Sequence, residues 1–484
     1  LFTSNFRKVK KMKKIYIGKI VIFILIILLP IININLKINQ VSEIDNRMLL
    51  DFEDIFKDSY NSKTIFNNIG SYVNERIGFR NSMVSLYTKG IDMFFDELVH
   101  PTYENGKDGH IYLKLPETKV NLRFQEVFSS FIKDFETYCD ERGIKFLYTL
   151  EPSKSTIYPE YLPEGYNHST ENLDYFIELL NEKGVNYLSN VDTLLEAKEN
   201  PLLKDILLYD KKYDAGHWNE TGAIVGISAI IDRLNELDNR VGTFDINKYE
   251  SEKVINEKLL SSNFIINEET TNYSLKEYNL QYIEDYEDEI YRHENFRYFT
   301  HYKNLTNTEG PRLLIFAGSY FNNKEKFITG NFSEVMKIHN YRNVIDYEYY
   351  INIYNPDIVL FESTEYTNTG YHYPTTMMEE KTYIKNLRNY NNLIEDNFVK
   401  LDMENIEVSE ENITKITIPI ESDDLLYAYV NINNRILDSK ITRDEDNLYV
   451  EFSVITSELE NLDNIELYFV SKDEERYEKV KYQL

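Results

Sequence analysis

Twice in this chain a helical stretch stops at a glycine and gives way at once to a short apolar run. A helix expected from Asn121 toward Arg142 ends at Gly143, and IKFLYTL follows over Ile144–Leu150. A second helix expected over Thr170–Lys183 ends at Gly184, before VNYLSN. Two more continuous apolar runs, RLLIFAGSY (Arg312–Tyr320) and DIVLFES (Asp357–Ser363), suit central strands covered on both faces. Helix, glycine and buried strand in alternation predict an α/β fold with a mostly parallel sheet. The length of 484 residues leaves room for further domains.

The flanks of this α/β region read differently. The first 19 residues carry seven basic side chains and no acidic one, and an apolar run from Ile20 to Ile32 follows. Ile15–Leu36 is long enough to span about 30 Å of hydrocarbon as a helix, with residues 1–14 as a basic cytoplasmic segment. The basic flank precedes the run, so the positive-inside rule orients everything after Lys37 to the outside. A single-pass, uncleaved anchor in the cell membrane is the expectation, since no small-x-small cleavage site stands near Asn33–Asn39. Residues 40–100 read as mostly helical and amphipathic. Residues 242–310 form an acidic stretch with weak periodicity, expected to be a lid or accessory subdomain. From 400 to 484, NITKITIPI, LLYAYVNI, LYVEFSVI and IELYFVS alternate between Asn and Asp clusters, which predicts a small antiparallel β-domain.

Charge and cysteine usage exclude several functions. A net charge of -28 repels phosphate backbones, and no basic stripe lies beyond the first turns, so no nucleic acid partner is expected. Cys139 stands alone, which excludes an intramolecular disulfide framework and a Cys-rich metal site. His110, His168, His293, His301, His339 and His372 lack metal-ligand spacing, and no Gly-rich phosphate loop appears, so neither metal nor cofactor is expected.

Ligands of open α/β sheets bind beyond the carboxyl ends of the strands. After RLLIFAG comes Ser319, followed by Tyr320, Phe321 and Asn322, and a serine on a glycine-led turn can present its hydroxyl there. A turn residue without chemistry is the alternative. YDAGHWNETGA (Tyr213–Ala223) places Asp214 three residues before His217, a spacing that lets a carboxylate orient an imidazole base. Its alternative is a helix start capped by Asp214, with His217 and Trp218 packed beside it. Trp218, the lone tryptophan, walls the site or stacks on a sugar. Lys154, in SKSTIYPEYLP, lines an acceptor groove or only fixes its loop. Glu362 and Glu365 follow the DIVLF strand and are candidates to face the site, but spacing along one loop does not establish the second, well-placed acid that a glycosidase needs.

Taken in order, EIDNR, NERIGFRNSMVSLYTKG, GKDGHIYL, EPSKSTIYPEYLP, YDAGHWNETGA, the AGSYF turn and NPDIVLFESTE give a resemblance. Over about residues 41–365 the chain resembles the alginate O-acetyltransferase-like, or DHHW-type, branch of the SGNH hydrolase superfamily. The resemblance implies an SGNH-like three-layer fold over residues 37–399. It also implies a catalytic set of Ser319 as nucleophile, His217 as general base and Asp214 as its orienting carboxylate. Trp218, Tyr320, Asn322 and Lys154 are then the substrate-binding candidates. Two departures stand out: Asp214 is three residues before the histidine instead of two, and the serine turn reads Ala317-Gly318-Ser319 where Gly-Asp-Ser or Gly-Thr-Ser is usual.

The activity so implied is extracytoplasmic O-acetylation of an exopolysaccharide, with a multispanning membrane acyltransferase supplying the acetyl groups. The acidic exterior favours a neutral glucan such as cellulose, or an amine-bearing polymer, over a polyanion. The same residues serve a carbohydrate acetyl esterase, and a non-catalytic polysaccharide-binding protein is the third reading. Tyr427, Tyr429, Tyr449 and Tyr468 of the tail suit an aromatic strip of a carbohydrate-binding module or, equally, a packed structural domain.

Overall fold

The computed structural model describes residues 2–37, 41–42, 47–52, 55–56, 62–95, 98–100, 102–114, 121–166, 168–203, 206–260, 264–277, 279–285, 287–381, 395–399, 412–420, 425–432, 435–444, 447–459, 464–471 and 477–483. The proposed domain boundary at 399/400, and residues 43–46 of EIDNR, fall at or beyond the edge of what is described.

Seven strands form the central sheet: β1 (Lys145–Glu151), β2 (Tyr187–Ser189), β3 (Leu280–Tyr282), β4 (Phe299–Asn304), β5 (Arg312–Ala317), β6 (Glu334–His339) and β7 (Ile358–Thr364). Their spatial order is β2-β1-β7-β5-β6-β4-β3. The first five are parallel, and β4 and β3 are antiparallel additions at one edge. The apolar runs of the sequence are therefore the sheet centre: β7 is buried at every position, as are Leu313–Ala317 of β5. Residues 242–310 are not an appendage, because they supply β3 and β4. They also form a long antiparallel hairpin, Tyr249–Lys258 paired with Ile265–Leu275. The acidic composition hid this because hairpin strands with solvent on one side need few apolar residues.

Helix α1 covers Phe2–Ile32, α2 Ser62–Arg76 and α3 Arg80–Phe95. Among the described residues no helix is long and apolar enough to cross a membrane; the described side chains of α1 begin at Tyr16. The span expected over 15–36 is thus helical to Ile32 without being a shown crossing. Buried Arg76 ties the end of α1 to α2, donating to the carbonyls of Asn35, Lys37 and Leu50 and pairing with Asp51.

The glycine stops work as the sequence suggests. Helix α4 (Leu122–Glu141) is capped by Asn121, which accepts from the Phe124 N–H at 3.2 Å, and the chain turns at Gly143 with φ +74°. Helix α5 (Glu171–Glu182) leads to Gly184 at φ +61°. Phe124, Phe128, Phe131, Ile132, Phe135 and Tyr138 form one buried stripe of α4. At roughly 1.5–3 kcal/mol per fully buried large apolar side chain, such a stripe holds the helix on the sheet.

In the tail, a sheet of 395–399, 477–483, 464–471, 425–432 and 435–438 faces a three-stranded sheet of 413–420, 447–455 and 440–444. Ile416, Ile418, Val430, Val450, Phe452 and Leu467 fill the space between them. The pairing is antiparallel except for 395–399 against 477–483. Tyr429 and Tyr468 stack at 4.6 Å but are 1% and 7% exposed, and Tyr449 lies in the other sheet, so the four tyrosines do not form one open strip.

Candidate active site

The turn Tyr213–Asn219 runs into helix α6 (Glu220–Leu237), whose N-cap is Asn219, accepting from the Gly222 N–H at 2.9 Å. Asp214 is therefore not the helix cap. Its Oδ1 accepts the backbone N–H groups of Gly216 and His217, both at 3.1 Å, which closes a tight turn and brings its carboxylate against the imidazole. His217 Nδ1 lies 2.9 Å from Oδ1 and 3.0 Å from Oδ2 of Asp214. With two carboxylate oxygens beside it, Nδ1 carries a proton, and Nε2 is left to accept the Ser319 hydroxyl at 2.8 Å. Ser319 itself follows β5 and opens the single-turn helix Ser319–Phe321.

The electrostatics match an orienting pair. Burial by itself would lower the His217 imidazole, but the charge and hydrogen bond of Asp214 raise it above its usual value. Burial would raise Asp214, yet His217 and the two backbone N–H groups hold it below the ordinary carboxylate range.

The remaining sequence candidates divide. Trp218 is 1% exposed and its indole N–H donates to the Tyr320 carbonyl at 2.9 Å, so its ring is a wall inside the protein and not an open sugar platform. Gly226 allows this packing, since a Cβ there would meet the indole at 2.3 Å. Tyr320 is also buried, its hydroxyl donating to the Pro152 carbonyl at 2.8 Å and its ring edge-on to His217 at 5.2 Å. Lys154 does not line a groove: its Nζ donates to the carbonyls of Ile111, Asp210 and Lys211 at 2.7, 2.7 and 3.0 Å. Those bonds use all three of its donors, and burial pushes its ammonium down to about 7. Asn322 is half-buried, with its Oδ1 held by Lys337 at 2.7 Å. That bond fixes the orientation of the amide, with its Oδ1 toward Lys337.

Glu362 and Glu365 part company. Glu362 accepts the Gly318 N–H at 2.6 Å, whereas Glu365 accepts the Ser153 N–H at 2.9 Å and the Thr156 hydroxyl at 2.7 Å, bracing the SKST turn. Two other residues escaped the sequence reading. Glu268 of the hairpin accepts three successive backbone N–H groups, from Lys211, Lys212 and Tyr213, at 2.8, 2.8 and 2.5 Å. Glu220 pairs with Lys324 and Lys326 at 2.9 and 2.7 Å, joining the start of α6 to the segment after Ser319. A lone acidic residue in a weakly periodic stretch gives no signal of such a role. Among the described residues no group of three or more His, Cys, Asp or Glu side chains is arranged to hold a metal ion.

No protein-family model matches the chain, and no curated protein matches it. Among solved structures it is similar to PatB1 of Bacillus cereus, with 19% identity, 57% of this chain and 98% of that chain covered, and a TM-score of 0.45. It is similar to a DHHW family protein from Eubacterium siraeum, at 15% identity, 59% and 100% coverage and a TM-score of 0.39. It is also similar to the O-acetyltransferase domain of Pseudomonas putida AlgJ, at 14% identity, 55% and 92% coverage and a TM-score of 0.39. The second and third of these carry, as a DHHW family protein and an O-acetyltransferase domain, names of the branch that the sequence segments resemble.

Proposed function

We propose that this chain transfers acetyl groups to hydroxyls of an extracellular polysaccharide through Ser319, His217 and Asp214. The observation that carries the reading is the continuous line from Asp214 through His217 to Ser319, with contacts of 2.9 and 2.8 Å. In the first half-reaction, Ser319 Oγ attacks the carbonyl carbon of an acetyl donor while its proton passes to His217 Nε2. Collapse of the tetrahedral intermediate expels the donor's leaving group, which takes that proton, and acetyl-Ser319 remains. A sugar hydroxyl then attacks the acetyl carbonyl, gives its proton to Nε2, and the serine departs with the proton restored. Asp214 keeps the imidazole in the required tautomer and offsets its positive charge in both halves. The Ser319 backbone N–H and the Asn322 amide are the oxyanion donors of this reading, the first because initial helical N–H groups lack an intrahelical partner.

The acceptor class proposed is a neutral glucan such as cellulose, or an amine-bearing polymer, because a charge of -28 disfavours encounter with a polyanion. A multispanning membrane acyltransferase is the proposed acetyl supplier. The proposed location is the outer side of the cell membrane, anchored by α1. Support for the anchor comes from the exposed apolar side chains of α1, which run from Tyr16 to Ile32 with Lys19 the only charge among them.

Hydrolysis of acetyl esters is the second reading, favoured by side chains of His217 and Asp214 that remain 18% and 24% exposed and so stay within reach of water. An activated aryl acetate, offered with and without cello-oligosaccharide, separates the two. Acetylated sugar formed by the wild-type chain and absent with Ser319→Ala supports transfer. Free acetate alone supports the esterase. Equal behaviour of wild type and Ser319→Ala removes the nucleophile assignment and leaves a binding role.

A further inference from the structure

Strand β5 delivers the serine turn, and each strand beside it contributes one fully buried charge to that turn. From β7 comes Glu362, whose Oε2 accepts the Gly318 N–H at 2.6 Å while its Oε1 accepts the Thr364 hydroxyl at 3.0 Å. From β6 comes Lys337, whose Nζ donates to Asn322 Oδ1 at 2.7 Å and to Glu325 Oε1 at 2.9 Å. Both side chains are 0% exposed. The five residues between these two attachments, Gly318 to Asn322, include Ser319.

The departure at position 318 now has a physical reason. A Cβ there would stand 3.3 Å from the Tyr341 hydroxyl, 3.4 Å from Asn340 Oδ1 and 3.6 Å from Glu362 Oε2. The first of these is tighter than ordinary contact, so a glycine at 318 leaves room for the Glu362 carboxylate that accepts its N–H.

We propose that Glu362 and Lys337 are positioning residues that clamp the serine turn from opposite neighbouring strands, one at the Gly318 N–H and the other at the Asn322 side chain. The proposal rests on the reading of Ser319 as nucleophile and adds what holds it. Charges are costly to bury, and Lys337 is compensated by Glu325 at 2.9 Å while Glu362 accepts two hydrogen bonds. As the serine proton moves, the Glu362 carboxylate favours the imidazolium, while Lys337, paired with Glu325, holds the Asn322 side chain. The charged and titratable groups facing Glu362 are His217, Lys337 and Glu151, with the hydroxyls of Tyr148, Tyr341, Tyr366 and Tyr373 around them.

The test is the rate at which a sulfonyl fluoride labels Ser319 in the detergent-solubilised full chain, read by intact mass across pH. Glu362→Gln keeps the volume and an acceptor oxygen but removes the charge. Labelling about tenfold slower, with the pH midpoint displaced downward because a negative charge near His217 is gone, is the expected result. Glu362→Asp keeps the charge but falls short of the N–H, so labelling slows while the midpoint stays closer to that of wild type. Lys337→Met slows labelling by releasing Asn322. A purely structural role moves melting temperature and leaves the midpoint in place. Wild-type rates and midpoints in all three variants overturn the proposal while the nucleophile stands. Absence of Ser319 labelling in the wild-type chain overturns the nucleophile reading, and the clamp with it.

Discussion

The Trp218 indole N–H donates to the backbone carbonyl of Tyr320 at 2.9 Å, so the residue after the histidine is fastened to the residue after the serine. Two turns 102 positions apart in sequence are thereby joined, beside the 2.8 Å contact between His217 and Ser319.

Trp218→Phe tests it directly. The phenyl ring keeps much of the packing under α6, but the buried Tyr320 carbonyl loses its donor, at a cost of about 1–3 kcal/mol. The expected outcome is a lower melting temperature and a kcat reduced about threefold to thirtyfold, with KM for an aryl acetate nearly unchanged. A change confined to KM counts against the fastening role and for direct contact with substrate.

Glu268 performs a comparable service from the hairpin, receiving three successive N–H groups just before Asp214. Glu268→Gln retains one carbonyl acceptor but loses the charge that strengthens these bonds. Destabilisation of about 1–3 kcal/mol is expected, together with faster amide exchange at Lys211–Tyr213. Unaltered exchange at those amides would show that the hairpin does not brace the turn.

The contrast between Ser319 and Glu268 explains how much was legible beforehand. The central strands are continuous apolar runs flanked by glycine stops, a local pattern that the chain prints wherever a strand is buried on both faces. Asp214 and His217 are three residues apart, so their pairing is also local. Glu268, Glu220 and Lys337 act across 12 to 106 positions through single polar side chains, and no periodicity marks them. Among the substrate-binding candidates, the sequence leaves Trp218 open as a wall or a sugar platform and Lys154 as a groove lining or a loop fastener, and the structure takes the wall and the fastener, while Tyr320 is buried instead of facing substrate. Their burial was invisible, since it depends on what α6, the Pro152 carbonyl and the 210–211 loop place over them. The β3 and β4 edge was missed for the same reason: β3 is only three residues long, and β4 finds its partner β6 some thirty positions away.

A buried ion pair helps seat the tail, beside the Lys440–Asp346 pair and the bonds that Glu289 accepts from Asn412 and Ile413. Asp438 receives Arg142 at 2.7 Å and also the hydroxyl of Tyr138, while Asn352 bonds its backbone N–H and carbonyl. The Arg142 and Asp438 side chains are only 5% and 13% exposed. Asp438→Ala leaves the guanidinium uncompensated, a loss of about 3–5 kcal/mol. Calorimetry is expected to show an earlier, separate transition for the tail. Retention on insoluble glucan that survives this change would mean that binding does not depend on how the tail is seated.

Acid sensitivity of the activity is expected to involve two groups. His217 must be neutral to accept the serine proton, and Asp214 holds it above its usual value, so activity falls as pH drops through that raised value. Burial pushes the Glu362 carboxyl up to about 7, with Gly318, Thr364, Lys337 and His217 drawing it back, so it also gains a proton in this range. The acid limb of kcat/KM is therefore steeper than one proton allows in wild type and reverts to one proton in Glu362→Gln. The same carboxyl penalises folding in the opposite direction. Its folded value exceeds its unfolded one, so the unfolded state binds fewer protons between about 4.3 and the raised value, and stability declines as pH rises through that window. Glu362→Gln lacks this penalty. Relative to wild type it is expected to gain up to about 3 kcal/mol between pH 4 and pH 8, on top of whatever pH-independent loss the weaker Gly318 bond brings. Parallel melting curves across that range, with a constant gap between the two proteins, would mean that the Glu362 carboxyl titrates in the fold as it does in the unfolded chain.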